Sequence, residues 1–470
     1  MTRVTRLLGS LALVFSISAS AQAQQYTQKA VALLGDTAPG TGGGTYSEIQ
    51  VPDINASGDV AFPAEVTGGS VGFGLFVDSG GVDTVVALAG DSAPGTGGGT
   101  FSYFDAASIN ASGDVAWQSL VTGGTATEGV FVDSGGTITS VALSGDTAPE
   151  TGGGTYASFN SVSINASGDV AFTAAVTGGT AAYGVFVDSG GTDTALAVSG
   201  DTAPGTGGGT YSVLSDCAMN DSGNVMFDAQ VTGGTGTDGV FLDSGGTDTA
   251  VGVAGDPAPG TGGGTYCSVA CFNGGRSISA SGGVAFSASV TGGTVTHGVF
   301  VDSGGTHSAV ALPGEAAPGP LGGTYIIVGI PKISASGDVA FPAIVTGSAI
   351  AGIFVASGAT DLGAAFIADT APGTGGGTYS SFTLLWSIDS SGGVLFTADV
   401  AGGSVSGGLF RAARLTELPA LGLFGRSAAC LVLVASILLA KRHAAGKGQY
   451  RDPAQWDRLF HPTVGQGAAR

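Results

Sequence analysis

The stretch Ser163-Ile164-Asn165-Ala166-Ser167-Gly168-Asp169-Val170-Ala171-Phe172 has close copies along nearly the whole of this 470-residue chain. Its glycine returns at steps of 55, 55, 55, 59, 55 and 55 residues, at Gly58, Gly113, Gly168, Gly223, Gly282, Gly337 and Gly392. Self-similarity at a fixed period of this length is typical of proteins built by copying one supersecondary unit. The sequence therefore predicts seven structural repeats.

Each repeat contains four short segments with the composition of β-strands. In the third repeat they are residues 157–164, 170–176, 184–188 and 195–199, which are apolar or β-branched and are separated by Gly-rich turns. Asn and Gly suit the first turn, because Asn bonds its own backbone and Gly accepts a positive φ; the pairs are Asn55 and Gly58, Asn110 and Gly113, Asn165 and Gly168, and Asn220 and Gly223. Four strands per repeat and no helical periodicity predict an all-β fold, a seven-bladed β-propeller, over a solenoid.

The phase of the repeats predicts how the propeller closes. The first recognisable strand, residues 30–34, matches the fourth strand of a repeat. The last repeat, residues 379–411, matches strands one to three and then stops. We therefore expect the N-terminal strand to complete the seventh blade as its outermost strand, which would cover an exposed edge.

These motifs carry a family resemblance. Residues 55–62 and 165–172 (Asn-Ala-Ser-Gly-Asp-Val-Ala-Phe) are similar to the Asn-x-x-Gly-x-x-Ala-Phe tandem repeats of bacterial exported proteins, and the resemblance covers residues 29–411. Ser279, Ser334 and Asp389 depart from it at the Asn position. The turn and strand more loosely resemble those of TolB-type propellers. The resemblance implies a propeller scaffold on a surface-anchored protein and supplies no catalytic residues.

The termini predict export and anchoring. Residues 1–23 have the charged start, apolar run and small-residue cleavage site of a signal peptide, and residues 24–415 form the repeat region. Residues 416–442 contain an apolar run followed by basic residues, and residues 443–470 form a polar tail. The C-terminal arrangement resembles a PEP-CTERM sorting signal, although a single-pass membrane anchor through residues 418–442 fits as well. We expect a protein of the bacterial envelope or cell surface, anchored in the membrane or released after sorting.

Charge limits the partners. The chain has 14 Lys and Arg against 35 Asp and Glu, and Lys29, Arg276 and Lys332 are the basic residues between positions 24 and 410. Such a surface would repel phosphate backbones, so the sequence argues against nucleic-acid binding.

Calcium is the one cofactor that the sequence suggests. An acidic residue recurs in each long Gly-rich loop, at Asp36, Asp91, Asp146, Asp201, Asp256, Glu315 and Asp369. Loop carboxylates and carbonyls suit Ca²⁺, which takes six to eight oxygen ligands. One carboxylate per loop is also what a cap of the loop backbone requires, and we favour that interpretation.

Other motifs have structural explanations. Cys267 and Cys271 lie where the repeat lengthens and predict a local disulfide, with Cys217 as an alternative partner.

The repeated Asp-Ser-Gly-Gly segment resembles a serine-protease nucleophile segment but lacks a triad histidine, because His297 and His307 look like surface substitutions. Asn55, Asn110, Asn165 and Asn220 satisfy a glycosylation pattern as a by-product of the turn. The once-per-repeat aromatics are expected in the core rather than on a stacking surface: Tyr46, Phe101, Tyr156, Tyr211, Tyr266, Tyr325 and Tyr379.

The leading functional hypothesis is a non-enzymatic surface or matrix protein that binds polysaccharide, protein or Ca²⁺. The alternative is a hydrolase or lyase that acts on an extracellular polymer. An active site on a repeat scaffold should break the symmetry of the repeats, and no break in this sequence assembles an acid, a base and a nucleophile.

Overall fold

The computed structural model describes residues 26–267, 272–273, 275, 277–318, 323–347, 351–358 and 360–415. These residues form strands joined by turns and loops, without a helix. In this part of the chain no helix is therefore long and apolar enough to cross a membrane. The predicted signal peptide, anchor and polar tail lie outside the described residues.

The strands form seven antiparallel sheets, the blades of a propeller. Blade 1 contains β2 (Thr45–Ile49), β3 (Asp53–Ile54), β4 (Val60–Thr67), β5 (Phe73–Ser79) and β6 (Val82–Leu88); blade 2 contains β7 (Thr100–Ile109), β8 (Val115–Thr122), β9 (Glu128–Ser134) and β10 (Thr137–Leu143). Blade 3 contains β11 (Thr155–Ile164), β12 (Val170–Thr177), β13 (Tyr183–Asp188) and β14 (Asp193–Val198); blade 4 contains β15 (Thr210–Met219), β16 (Val225–Thr232), β17 (Asp238–Asp243) and β18 (Asp248–Val253).

The remaining blades are less regular. Blade 5 contains β19 (Thr265–Tyr266), β20 (Phe272–Asn273), β21 (Val284–Thr291), β22 (His297–Asp302) and β23 (His307–Ala311); blade 6 contains β24 (Tyr325–Val328), β25 (Lys332–Ile333), β26 (Val339–Val345), β27 (Ala351–Ser357) and β28 (Thr360–Phe366). Blade 7 contains β29 (Thr378–Ile388), β30 (Val394–Ala401), β31 (Gly407–Arg414) and, from the other end of the chain, β1 (Tyr26–Leu33). The inner strand is split in blades 1, 5 and 6, so four-stranded blades are the basic pattern.

The N-terminal strand closes the ring as the sequence predicts. β1 pairs with β31 in antiparallel register from Tyr26 opposite Arg414 to Leu33 opposite Gly408. Tyr26 is buried, and its hydroxyl donates to Gly392 O at 3.0 Å. Lys29 Nζ lies 3.6 Å from the Asp78 carboxylate in blade 1. The first strand of the fold therefore links the seventh blade to the first.

The repeated aromatic residues lie in the core, which confirms their predicted role. Tyr156 is 1% exposed and packs edge-on against Phe172 and Phe186 at ring-centroid distances of 5.6 and 5.1 Å. The same three-ring arrangement occurs in every blade. Edge-to-face aromatic pairs add to the stability that burial provides. One aromatic triad per blade explains why the sequence repeats these positions.

The repeated Asn makes contacts beyond its own turn. Asn110 Oδ1 accepts from Ser112 N and Asp114 N at 3.0 and 2.9 Å, and Asn110 Nδ2 donates to Asn165 O of blade 3 at 3.1 Å. Asn55 and Asn220 make the same kind of bond to the next blade. The glycine of this motif has φ near +87° at Gly168, as the turn requires. These Asn side chains are 3–7% exposed, so glycosylation of the folded protein is sterically blocked.

At the closing seam an arginine replaces this amide. Asp389 occupies the Asn position of blade 7 and cannot donate as a carboxylate. Arg411 Nη2 pairs with Asp389 Oδ2 at 2.6 Å, and Arg411 Nη1 donates to Gly58 O of blade 1 at 3.4 Å. A Cβ on Gly58 would clash with the Arg411 guanidinium, so glycine makes room for that group. Blades 7 and 1 are thus linked by a guanidinium group, where the other blades named above are linked by an Asn amide.

Replacing Asn110 with Ala should destabilise the protein by about 1–3 kcal/mol, because two backbone N–H groups and one carbonyl lose a buried partner. Ser279→Ala in blade 5 is the matched control, since the Ser279 hydroxyl caps its own turn through Gly283 N at 2.7 Å. Urea unfolding at equilibrium measures both. If the two substitutions cost the same, the inter-blade bond of Asn110 contributes nothing to stability.

Candidate functional site

The acidic residues of the long loops cap the backbone. In every blade the carboxylate accepts from the backbone N–H three residues earlier, at 2.8–3.2 Å; the residues are Asp36, Asp91, Asp146, Asp201, Asp256, Glu315 and Asp369. No group of three His, Cys, Asp or Glu side chains in the described part of the chain is placed to hold a metal ion. The capping interpretation therefore accounts for all seven, and calcium binding stays a prediction.

The cysteines separate into two environments. Cys267 is disulfide-bonded, and its predicted partner, Cys271, lies outside the described residues. Cys217 is a buried thiol in β15, and Ser161 Oγ of blade 3 lies 3.2 Å from its sulfur. The alternative pairing of Cys217 with Cys267 is therefore wrong in this structure.

The two histidines are not surface substitutions, which corrects the sequence interpretation. His297 Nε2 accepts from Val328 N of blade 6 at 3.4 Å, the same inter-blade contact that Glu128 makes to Phe159 N at 2.9 Å. Burial lowers the pKa of His297, which favours the neutral ring that this acceptor role needs. His307 Nε2 lies 3.4 Å from Asp302 Oδ2. Both residues thus serve the packing of blade 5, and neither forms a catalytic triad.

One position near the end of each inner strand, two residues before the turn Asn or its equivalent, is polar in six of the seven blades. This position is Asp53, Ser108, Ser163, Ala218, Ser277, Lys332 or Ser387 in blades 1 to 7. The hydroxyl of Ser108 contacts Ile164 N of blade 3 at 3.3 Å, and that of Ser163 contacts Met219 N of blade 4 at 3.0 Å. A serine at this position therefore links its blade to the next.

Asp53 joins three blades at this position. Its Oδ1 accepts from Ser387 Oγ of blade 7 at 2.8 Å, and its Oδ2 accepts from Ile109 N of blade 2 at 3.2 Å. Burial raises the pKa of Asp53, and these hydrogen bonds and the positive charge of Lys332 oppose that rise. Asp53 is fully engaged in closing the ring, so its role is structural.

The main cavity is lined by Lys332, the residue at this position in blade 6, and has a volume of about 400 Å³. Its apolar wall comes from blades 6 and 7 and includes Ile330, Phe382, Leu384 and Trp386. Its polar lining includes Asp216 and Asp228 from blade 4 and Lys332 from blade 6. Residues of five blades therefore meet in one cavity that combines an aromatic wall with charged groups.

A second cavity of about 290 Å³ extends outward between blades 7 and 1. It shares Thr383, Leu384 and Trp386 with the first cavity, and its lining adds Glu48 and Asp399. We call these two cavities together the axial groove. Trp386 lines both of them and therefore lies at their boundary.

Local structure positions the aromatic wall. β29 has three register shifts against β30, the last two within residues 382–387, whereas β11 has two against β12. Trp386 is half-buried, packs in the cluster that contains Ile49 of blade 1, and donates from Nε1 to Thr397 Oγ1 at 3.1 Å. Leu384 is 46% exposed. The irregular strand thus turns two large side chains toward the groove, and one of them has a fixed orientation.

The axial groove was not predicted from the sequence, which identified only Lys332, as one of the few basic residues of the repeat region. The sequence does carry one signal of the groove. The repeated aromatic residue precedes the turn glycine by 12 residues in blade 3 (Tyr156 to Gly168) and by 13 residues in blade 7 (Tyr379 to Gly392). Blade 6 also has exposed Ile326, Ile327 and Ile344, at 41–50%, which are not among the lining residues of the groove; blade 1 has Ser47 at the position of Ile326. Departures from the repeat therefore lie in blades 5, 6 and 7, and the largest is the lengthened segment of blade 5, which contributes Gly275 to the groove lining.

Comparison with known proteins places the chain in a family. Residues 16–353 match the model described as "Family of unknown function (DUF7453)". None of the curated proteins compared with the chain matches it.

Several solved structures resemble the fold. The polysaccharide lyase Uly1 has a TM-score of 0.40 at 10% identity, over 83% of this chain and 99% of that one. PorZ, a bacterial surface component of the type-IX secretion system of Porphyromonas gingivalis, has a TM-score of 0.35 at 13% identity. The match covers 81% of this chain and spans 59% of the PorZ structure. The gluconolactonase XC5397 of Xanthomonas campestris has a TM-score of 0.31 at 13% identity, over 80% and 99% of the two chains. These likenesses concern the fold alone.

Proposed function

Because the chain belongs to the DUF7453 family, whose function is unknown, we propose a function from its own residues: it is a non-enzymatic binding protein of the bacterial envelope that holds an extracellular polysaccharide in the axial groove. The observation that carries the proposal is that residues of blades 5, 6 and 7, the blades in which the sequence departs from the repeat, line the groove. A site on a repeat scaffold needs residues that the other repeats do not have.

The composition of the groove suits a sugar polymer. The flat faces of sugar rings carry C–H groups that pack on aromatic side chains, and their hydroxyl groups donate to carboxylates. Trp386 supplies the aromatic face, and Asp216 and Asp228 supply acceptors. Two neighbouring cavities that share Thr383, Leu384 and Trp386 would offer contacts to more than one unit of a chain of sugars.

Export is the second part of the proposal. It is supported by the signal-peptide pattern of residues 1–23, by the apolar segment of residues 416–442 and by the acidic surface. Protease treatment of intact cells tests it: loss of the propeller from intact cells supports a surface location, and full protection contradicts it.

Binding of the full chain to a polysaccharide array tests the groove. We expect wild-type protein to bind at least one polysaccharide, and Trp386→Ala to weaken that binding at least about tenfold, or 1.4 kcal/mol. Leu120→Ala is the matched control, because Leu120 is an apolar side chain of blade 2 that is 43% exposed and outside the groove. Equal binding by wild type and Trp386→Ala would contradict the proposal.

The alternative function is cleavage of the bound polymer. Asp216 and Asp228 line one cavity, and most glycoside hydrolases use a pair of carboxyl groups as their catalytic residues. Release of reducing ends or of unsaturated products from the bound polysaccharide, abolished by Asp216→Asn or Asp228→Asn, would establish an enzyme. Binding without product release supports the non-enzymatic function.

A further inference from the structure

We infer that an amide bond between the side chains of Lys29 and Asp78 closes the propeller covalently. The bond would join β1, the outermost strand of blade 7, to β5 of blade 1. The inference goes beyond the proposed function and is independent of it, because neither residue lines the axial groove. It follows from the contact between the two side chains and from a second carboxyl group beside them, that of Asp83.

Lys29 occupies a position at which the other six blades have an uncharged residue. This position lies opposite the residue that follows the repeated Phe of the third strand; in blades 1 to 6 it is Thr84, Thr139, Thr194, Thr249, Ser308 and Leu362. An ion pair of a half-exposed lysine adds little to stability. A lysine at this seam is therefore better explained by an interaction stronger than an ion pair.

The end of the Lys29 side chain reaches a buried carboxyl group across the seam. Lys29 Nζ lies 3.6 Å from Asp78 Oδ1, and the exposed fractions of the two side chains are 53% and 3%. Asp78 Oδ2 is buried and has no hydrogen-bond partner among the described residues. A Cβ on Gly81 would lie 3.3 Å from Lys29 Nζ, so the glycine keeps the approach open. The amine and the carboxyl group that would react are therefore neighbours in the folded chain.

A second carboxyl group beside them can carry protons. Asp83 lies directly opposite Asp78 in the hairpin of β5 and β6, and Tyr46 Oη donates to Asp83 Oδ2 at 2.8 Å. Burial raises the pKa of Asp83, the hydrogen bond from Tyr46 opposes that rise, and the negative charge of Asp78 adds to it. Two carboxyl groups that share a site hold a proton more readily than one alone. The pair thus supplies both a protonated acid and a base next to the Lys29 amine.

The reaction is a condensation that needs no other reactant. The pair holds one proton, here on Asp78, and Asp83 takes a proton from the Lys29 ammonium group. The free amine attacks Cγ of Asp78 and forms the C–N bond. Asp83 protonates the departing hydroxyl group as the C–O bond breaks, and then takes the second proton from the nitrogen. The products are an amide, one water molecule and a protonated Asp83, and groups held together in this way react far faster than groups that must meet in solution.

The position of the bond gives it a structural role. In blades 1 to 6 the outermost strand follows its neighbour directly along the chain, whereas β1 and β31 come from opposite ends of the propeller sequence. β1 is therefore held in blade 7 by pairing and packing, without a hairpin turn. A covalent bond to Asp78 would keep β1 in place when its hydrogen bonds to β31 open, because blade 1 would still hold the strand.

Intact-mass spectrometry of the purified full chain, with its disulfides reduced and its N-terminus mapped, tests the inference. We expect the wild-type chain to be lighter by one water molecule than its sequence requires, and to give a branched peptide that contains residues 29 and 78. Lys29→Arg keeps the positive charge but removes the amine, and Asp78→Ala removes the carboxyl group. Each should restore the full mass.

Two further variants test the part of Asp83. Asp83→Asn should slow the loss of water from freshly synthesised chain at least about tenfold, because general acid–base catalysis is removed. Asp193→Asn is the matched control, since Asp193 pairs with Asp188 in the same way in blade 3, where Thr194 stands at the position equivalent to Thr84. This variant should lose water as wild type does. Circular dichroism reports whether each variant is folded.

The wild-type mass decides the inference even if a variant fails to fold. A folded wild-type chain of full mass overturns it. A missing water molecule that persists in Lys29→Arg places the dehydration elsewhere in the chain and also overturns it. If Asp83→Asn loses water as fast as wild type, the amide bond stands and the role of Asp83 as proton carrier is wrong.

Discussion

Deletion of residues 24–36 should lower the melting temperature of the propeller by more than about 10 °C. The deletion removes β1, the outermost strand of blade 7, and with it the buried side chains of Tyr26, Ala32 and Leu33. Removal of one large buried side chain costs about 2–5 kcal/mol, and here several leave together with a full row of backbone hydrogen bonds. The deletion also exposes the edge of β31. Differential scanning calorimetry measures the loss.

Two controls make this result specific to closure of the ring. A chain without residues 443–470 loses a longer segment that lies outside the propeller strands, and its melting temperature should stay that of the intact chain. A synthetic peptide of residues 24–36, added to the deleted chain, should restore much of the stability, because it can pair again with β31. A deleted chain that melts like the intact one would show that blade 7 is stable with three strands.

Much of the fold could be predicted from the sequence because the same strand and turn patterns recur in seven repeats. The predicted strand of residues 170–176 is β12 (Val170–Thr177), and the predicted strand of residues 195–199 overlaps β14 (Asp193–Val198). The position of the N-terminal strand in blade 7 was predicted from its match to the fourth strand of a repeat, because the last repeat lacks that strand. The burial of Tyr156 and its equivalents followed from the same logic of a shared core.

The relations between blades were harder to predict. The bond from Asn110 to blade 3 joins residues 55 apart, and no local pattern distinguishes it from a simple turn cap. Arg411 replaces that bond at the seam with a different residue on a different strand. The axial groove was missed for the same reason, since Asp216, Lys332 and Trp386 come from three blades. The sequence repeats within blades, whereas the candidate site is formed by single residues between them.

Paired aspartates in three blades lead us to expect that the propeller becomes more stable as the pH is lowered from neutral. In the last hairpin of blades 1, 3 and 4 two Asp residues stand directly opposite each other, as Asp243 and Asp248 do in blade 4. Like charges at such positions are destabilising. Tyr211 donates its hydroxyl to Asp248 Oδ2 at 2.9 Å, which satisfies one oxygen of the pair. In blade 2, where Phe101 replaces this Tyr, Ile138 replaces the second Asp. In blades 1, 3 and 4 the Tyr and the second Asp thus form a hydrogen-bonded unit, whereas blade 5 keeps Tyr266 with His307 at the position of that Asp.

Burial, and then the negative charge of Asp243, raise the pKa of Asp248 from 3.8 to about 6. Burial also raises the pKa of other carboxyl groups: Asp53, Asp83, Glu128, Asp133, Asp188, Asp193, Asp243 and Asp361. A group whose pKa is higher in the folded state binds its proton more tightly there. Its contribution to stability is complete below the unfolded pKa and is lost as pH rises through the folded pKa. The melting temperature should therefore rise when the pH is lowered from neutral to about 5, opposite to the acid sensitivity that salt-bridged carboxylates produce.

The substitution Asp248→Asn isolates one group of this set. Asparagine resembles the protonated acid in shape and still accepts from Tyr211, so the variant should melt at a higher temperature than wild type at neutral pH and should lose part of the pH dependence. Each unit of pKa shift corresponds to about 1.4 kcal/mol at most, and partial exposure of Asp248 reduces that figure. Glu150→Gln removes an exposed carboxylate and should leave the slope unchanged, which separates the effect of the buried pair from that of lower net charge. A wild-type melting temperature that increases from pH about 5 to neutral would contradict this prediction, and would mean that the buried carboxylates are stabilised in their ionised form in the folded protein.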